Sequence, residues 1–316
     1  MTEMKIFWDY AFDKQRRDGA VAGGTITLTG IVRASRCAAE RGTDGASAPS
    51  LPVTRRIISH AIVGQSHNPK IFRIALASVA LLITAMHSVA DDFDSAGVKI
   101  HYAVTGNGDP VILIHGLYAS GRLNWDSPGT TALLAKHFRV ITLDCRGHGR
   151  SAKPRAEDAY GTNMVEDVVR LVNHLNIRNA RVAGYSMGGM IAMKLAVTHP
   201  ERVTAVVLGG MGWLKAGALM NSIWSKVNQD RFFVPPACAH SFPDLAVSEE
   251  EIKALKIPVS VIVGENDSVR KWYVEPMRHV RPDWPVHIIP GADHLNCASQ
   301  PEFKSQLEAA LLKPQT

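Results

Sequence analysis

The chain has 316 residues, 46% of them hydrophobic, enough for a large core in one large domain or two. A formal charge of +6 raises nucleic acid or a membrane surface as a partner. The distribution argues against both for most of the chain: residues 1–90 carry 11 Lys and Arg against 6 Asp and Glu, so five of the six net positive charges belong to them.

Residues 1–62 show scattered Arg, Gly, Ala and Ser with no sustained periodicity, and are expected to be disordered or a start-site extension. Lys70 and Arg73 then flank an apolar run from Ile74 to Met86, followed by Ser88-Val89-Ala90 and the acidic Asp91-Asp92. A basic flank, an apolar stretch of about a dozen residues and small residues before a cleavage point form a secretory signal peptide. The run is short for a bilayer span, which takes about 20 residues. Residues 63–90 are therefore read as signal-peptide-like, with translation starting near Val63 and a secreted or periplasmic product. A cytoplasmic tail before an uncleaved anchor, or a buried helix, are the other readings of the same run.

From Val98 strand and helix patterns alternate. Val98 to Ala103 alternates apolar and polar residues, and Gly106-Asn107-Gly108 makes a turn. Apolar strand cores follow at Val111 to Ile114, Val140 to Leu143, Arg181 to Ala183, Val203 to Leu208, Val259 to Val263 and Val286 to Ile289. Helical spacing is present at Thr131 to Leu134, over Met164, Val168, Leu171, Val172 and Leu175, over Met190 to Ala196, and at Phe303 to Leu312. Strands that are apolar throughout, alternating with helices, predict an α/β fold: a mostly parallel central sheet with helices on both faces. Ligands in such sheets bind beyond the C-terminal strand ends. Residues 210–254 interrupt the alternation and are too long for an ordinary connection. With Trp213, Trp224, Phe232, Phe233 and Pro235-Pro236 they read as a small helical cap whose aromatics divide between packing and substrate. The domain so defined runs over 91–316.

The chemistry-bearing residues follow the strands. Gly184-Tyr185-Ser186-Met187-Gly188 has the form of a nucleophile elbow, where strand and helix pass so closely that positions two before and two after the serine suit glycine. His115-Gly116-Leu117-Tyr118 follows one strand and Asp144-Cys145-Arg146-Gly147-His148-Gly149-Arg150-Ser151 the next. Gly264-Glu265-Asn266-Asp267 and Pro290-Gly291-Ala292-Asp293-His294 follow the last two. With H-G, D-x-R-G-H-G-x-S, G-x-S-x-G-G, G-x-x-D and a late His in this order, the chain resembles the α/β-hydrolase family over residues 95–314.

The resemblance implies a triad of Ser186, Asp267 and His294. A serine hydroxyl is a poor nucleophile at neutral pH, so an imidazole must take its proton and a carboxylate must hold that imidazole. Among the nearby carboxylates, the family's G-x-x-D pattern selects Asp267 over Glu265, and Asp293 is too close in the chain to reach His294 Nδ1 readily. The family's base position selects His294 among the 13 histidines, and its pattern makes His115, His148 and the 144–151 loop structural. The oxyanion donors implied are the backbone N–H groups of Leu117 and Met187, with Tyr118, Tyr185 and Trp213 as candidate substrate contacts. Of the four cysteines, Cys145 is expected as a free buried thiol, and a Cys238–Cys297 pair is left open. The expected reaction is cleavage of a small-molecule carboxylic ester through an acyl-enzyme, with no cofactor, no metal and no nucleic-acid partner. A perhydrolase, a C–C bond hydrolase and a hydrolase-like receptor are the alternatives. Cleavage of the 63–90 segment is checked by mass spectrometry of the exported protein: a terminus near Asp91 is expected, and a retained residue 10 or 20 would end the idea.

Overall fold

The structure is a computed structural model that describes residues 88–217, 224, 226–227 and 232–313. The 1–62 segment and residues 63–87 of the signal-like segment lie outside the described residues, as do Met220, Ile223 and Arg231 of the expected cap.

Eight strands form one sheet: β1 (Val89–Ser95), β2 (Val98–Thr105), β3 (Asp109–Ile114), β4 (Phe138–Leu143), β5 (Ala180–Tyr185), β6 (Val203–Gly209), β7 (Val259–Gly264) and β8 (Val286–Ile289). Their order is β1-β2-β4-β3-β5-β6-β7-β8. All neighbours from β4 to β8 run parallel, while β2 is antiparallel to both β1 and β4. This is the mostly parallel α/β sheet expected.

The strands form where predicted because side chains on both faces are covered: Val111 to Ile114 and all of β7 are buried. β1 is an addition to the sequence reading. It is an edge strand whose first four residues are exposed and whose buried residues are only Phe93 and Ser95. A two-residue turn, Ala96 and Gly97 with φ of 54° and 83°, folds it back on β2 as hairpin turns of positive φ do. Val89 and Ala90 pair with Val104 and Ala103 here, so the end of the signal-like segment is strand. A chain starting at Asp91 would keep the five pairs from Asp91–Tyr102 to Ser95–Val98.

Helices cover both faces. On one face α1 (Thr130–Leu134) meets the closing helix; on the other α2 (Thr162–His174) packs on α3 (Met187–Thr198), which lies along β5 and β6. The 210–254 stretch holds, among its described residues, the short helices α4 (Pro236–His240) and α5 (Glu249–Ala254) with a 3-10 turn, Phe242–Leu245, between them. Ser248 caps α5 and accepts from the Glu251 N–H, while Glu251 Oε2 accepts from the Ser248 N–H. Two more helices, α6 (Glu275–Val280) and the closing α7 (Pro301–Leu312), complete the chain. One face of the sheet buries Val111, Leu113, Val140, Ala183, Tyr185, Val207 and Ile262 beneath Phe303, Leu307 and Leu311 of α7.

The 144–151 loop ties the sheet together. Asp144 accepts from the N–H groups of Gly121 and Arg150, at 2.9 and 2.8 Å. Arg146 reaches α2 and forms a two-pronged pair with Asp167, Nε to Oδ2 at 2.7 Å and Nη2 to Oδ1 at 2.6 Å, with both side chains almost fully buried. Removing one partner strands the other charge away from water. Asp167→Ala is expected to lower the unfolding free energy by about 3–5 kcal/mol in urea titration.

Candidate active site

The sheet order places a switch point at β3 and β5. The chain leaves β3 toward β4 on one side and leaves β5 toward β6 on the other, so a crevice opens beyond the C-terminal ends of these two strands. Ser186 follows β5 directly and His115 follows β3.

Ser186 sits at φ 53° and ψ −114°, an arrangement that costs a residue with a side chain about 1–3 kcal/mol. The close approach of β5 and α3 holds it there. A Cβ at Gly184 would overlap the Gly188 carbonyl and lie 2.6 Å from the Gly189 nitrogen. A Cβ at Gly188 would overlap the Ile114 carbonyl and stand 2.8 Å from that of His115. The Ser186 N–H donates to the Gly209 carbonyl at 2.8 Å, which pins the turn to β6.

His294 lies between the other two expected residues. Its Nδ1 is 2.8 Å from Asp267 Oδ2 and its Nε2 is 2.9 Å from Ser186 Oγ. The carboxylate only accepts, so Nδ1 carries the proton and Nε2 presents its lone pair to the serine hydroxyl. All three side chains are buried. Burial by itself lowers the His294 pKa, but the charge and hydrogen bond of Asp267, with the charge of Asp293, outweigh it and hold the value above the ordinary 6.5.

The rival carboxylates have other tasks. Asp293 Oδ1 accepts from the N–H groups of Leu295 and Asn296, shaping the loop that carries His294. Glu265 Oε2 accepts from the Gly291 N–H at 2.9 Å. Asp267 Oδ1 accepts from the Val269 N–H, which fixes the carboxylate's rotation.

The loop after β3 is held by its own polar groups. His115 Nδ1 donates to the Gly116 carbonyl at 2.7 Å and its Nε2 accepts from the Cys145 N–H at 3.0 Å. Burial lowers its pKa and keeps it neutral, as both bonds require. His148 packs edge-on against His115 at 5.0 Å, and burial followed by that neighbour pushes it down to about 3. Both are thus structural groups. Asn124 was not singled out from sequence, yet its Oδ1 accepts from the Gly116 N–H at 3.0 Å and braces this loop beside Ser186. A contact eight residues along an irregular helical turn leaves no periodic signal. The N–H groups of Leu117 and Met187 donate to no described residue.

The three candidate substrate contacts part company. Tyr118 stands at the rim with φ 62°, its ring 6.1 Å from that of Phe232. Trp213 is buried and its Nε1 donates to the Val247 carbonyl at 2.8 Å, so its polar atom pins residues 213 and 247 together. Tyr185 is buried too, with its hydroxyl donating to the His294 carbonyl. Each of these two side chains spends its only donor on a backbone carbonyl and so acts as an internal brace. Cys145, Cys238 and Cys297 are free and buried, and Cys238 Sγ lies 3.9 Å from Met187 Sδ, so no Cys238–Cys297 bond is formed. Among the described residues no three His, Cys, Asp or Glu side chains are grouped to hold a metal ion.

The profile of the α/β hydrolase fold matches residues 109–242. A 2-hydroxy-6-oxo-6-(2'-aminophenyl)hexa-2,4-dienoic acid hydrolase of Metapseudomonas resinovorans is 29% identical over 190 residues, 60% of this chain and 64% of that protein. A Mycobacterium tuberculosis protein that carries the name non-heme bromoperoxidase is 41% identical over 111 residues, 35% of this chain and 41% of that protein. The chain thus spans less than two thirds of the length of these curated relatives. The structure of a thermophilic esterase from Thermogutta terrifontis superposes with a TM-score of 0.61 at 23% identity, covering 73% of this chain and 100% of that one, a likeness of fold. Sheet order, elbow and profile agree on the α/β-hydrolase fold, the profile matching over residues 109–242.

Proposed function

We propose that the protein is a serine hydrolase that cleaves a carboxylic ester through an acyl-enzyme. The observation that carries this reading is the continuous line from Asp267 through His294 to Ser186 Oγ at the head of α3. His294 Nε2 takes the hydroxyl proton as Oγ attacks the acyl carbonyl. Asp267 stabilises the imidazolium that forms. The tetrahedral oxyanion is received by the N–H groups of Leu117 and Met187, each donor being worth about 2.7–4 kcal/mol in such sites. His294 then gives the proton to the leaving alkoxide, and water repeats the steps to release the acid.

A second reading, hydrolysis of a C–C bond in a vinylogous diketo acid, is favoured by the Metapseudomonas resinovorans relative. The same nucleophile and base serve it. A carboxylate-bearing substrate calls for a cation, and Arg146, on the loop after β4, is already committed to Asp167 and the Ala159 carbonyl. The cation for such a substrate would have to come from elsewhere, and Arg231 of the 210–254 stretch lies outside the described residues.

The test is fluorophosphonate labelling of the full-length protein, followed by assay on aryl and alkyl esters and on a diketo acid. Labelling is expected in the wild type and absent in Ser186→Ala; activity unchanged in that variant would refute the nucleophile. Asp267→Asn is expected to lower kcat by about four orders of magnitude. Preference for the diketo acid would select the second reading, and labelling with negligible turnover of every substrate would select the receptor alternative.

The pH dependence has a definite sign. Only neutral His294 accepts the serine proton, so kcat/KM falls as pH drops through its pKa. Because Asp267 holds that pKa above 6.5, the acid limb is expected to have its midpoint above pH 6.5. A rate profile flat down to pH 5 would contradict the assignment of the base.

A further inference from the structure

Tyr185 is the last residue of β5 and stands immediately before Ser186. Its hydroxyl donates to the backbone carbonyl of His294 itself, at 2.6 Å, across 109 positions of sequence. Its ring lies under the imidazole, with centroids 5.5 Å apart and planes tilted by 38°. The ring also meets that of Phe303 in a T-shaped contact, with centroids 5.8 Å apart.

Two glycines make room for this ring. A Cβ at Gly209 would stand 2.9 Å from Tyr185 Cδ2, and one at Gly210 would stand 2.8 Å from Tyr185 Cζ. Gly210 has φ 54°, so an L side chain there is disfavoured by backbone and by space alike. The Cys297 thiol adjoins the same hydroxyl, three residues beyond His294. Burial raises the phenol pKa well above its ordinary value, which keeps the hydroxyl a donor. The ring therefore touches the ends of β5 and β6, the His294 loop and α7, and its one polar atom is spent on the residue that must face Ser186.

We propose that Tyr185 is a positioning residue for acyl transfer: its hydroxyl fixes the backbone of His294, and through it the approach of His294 Nε2 to Ser186 Oγ. The inference rests on the acyl-transfer reading above. Ser186 and His294 come from segments 108 positions apart, and their 2.9 Å contact has to be held while charge develops on the imidazole. The side chain next to the nucleophile does this by gripping the base from beneath. It touches no substrate, so its effect belongs in kcat.

Tyr185→Phe keeps the ring and removes the hydroxyl. In the full-length variant the fluorophosphonate labelling rate and the kcat on an aryl ester are expected to fall about tenfold, the loss that follows one buried hydrogen bond, with KM unchanged. Tyr185→Met also lacks the hydroxyl while keeping an apolar side chain of similar reach, and is expected to lower kcat likewise without a change in KM; it decides the matter should Tyr185→Phe not fold. A Tyr185→Phe protein that labels and turns over at the wild-type rate, with only its Tm lowered, overturns the inference and makes the bond plain packing. A raised KM with unchanged kcat overturns it as well and returns Tyr185 to the substrate. Ser186→Ala in the same series separates the two ideas: labelling that persists there takes down the acyl-transfer reading and this inference with it.

Discussion

The site depends on one backbone contact, the passage of Gly184 against Gly188 where β5 turns into α3. No side chain fits between them. That closeness forces Ser186 into its positive φ, lifts its hydroxyl above the sheet and leaves the first N–H groups of α3 beneath it. Ile114 and His115 close the other side of Gly188, so the loop that bears Leu117 is brought against the same turn. The strain at Ser186 is tolerated because β3, β5 and β6 all hold the elbow: the Ser186 N–H is bonded to Gly209, and parallel pairing fixes the strand on both sides.

Burial alone does not assign a histidine its task. His115, His148 and His294 are all withdrawn from water. The first two have backbone groups or each other as neighbours, and burial drives their pKa values down. His294 has the Asp267 carboxylate on Nδ1, and its pKa moves up instead. A neutral imidazole between backbone groups works as a brace. An imidazole with a buried carboxylate behind it can accept a proton in front. The carboxylates divide likewise: Asp144, Asp167 and Asp293 each satisfy N–H groups or a guanidinium, while Asp267 directs one oxygen to the Val269 N–H and the other to His294.

The central strands were legible because both of their faces are covered, so β3 and β7 read as unbroken apolar runs. β1 was not, since an edge strand with one wet face, Val-Ala-Asp-Asp-Phe-Asp-Ser, looks like a polar connection. The elbow was legible because glycine is the only residue its geometry admits. Asn124 was not, for its bond to Gly116 comes from an irregular turn that no period announces. Trp213 and Tyr185 read as contacts for substrate because an aromatic after a strand end suits either role. The fold adds what no sequence pattern announces, the carbonyl within reach of each one's single donor.

By itself the sequence determined the alternation of strand and helix and the residue types at the strand ends, which are local properties written by periodicity and by the glycines a tight turn needs. The order serine, acid, histidine was implied by its resemblance to the α/β-hydrolase family. The tertiary structure decided which polar groups meet. Ser186 and His294 touch across 108 positions, His294 and Asp267 across 27, and Tyr185 and the His294 carbonyl across 109. Such pairs exist only once β5, β6, β7 and β8 lie side by side with their C-terminal ends at one edge, because a hydrogen bond is made by proximity, and the strand order that brings these loops together is set by packing along the whole sheet.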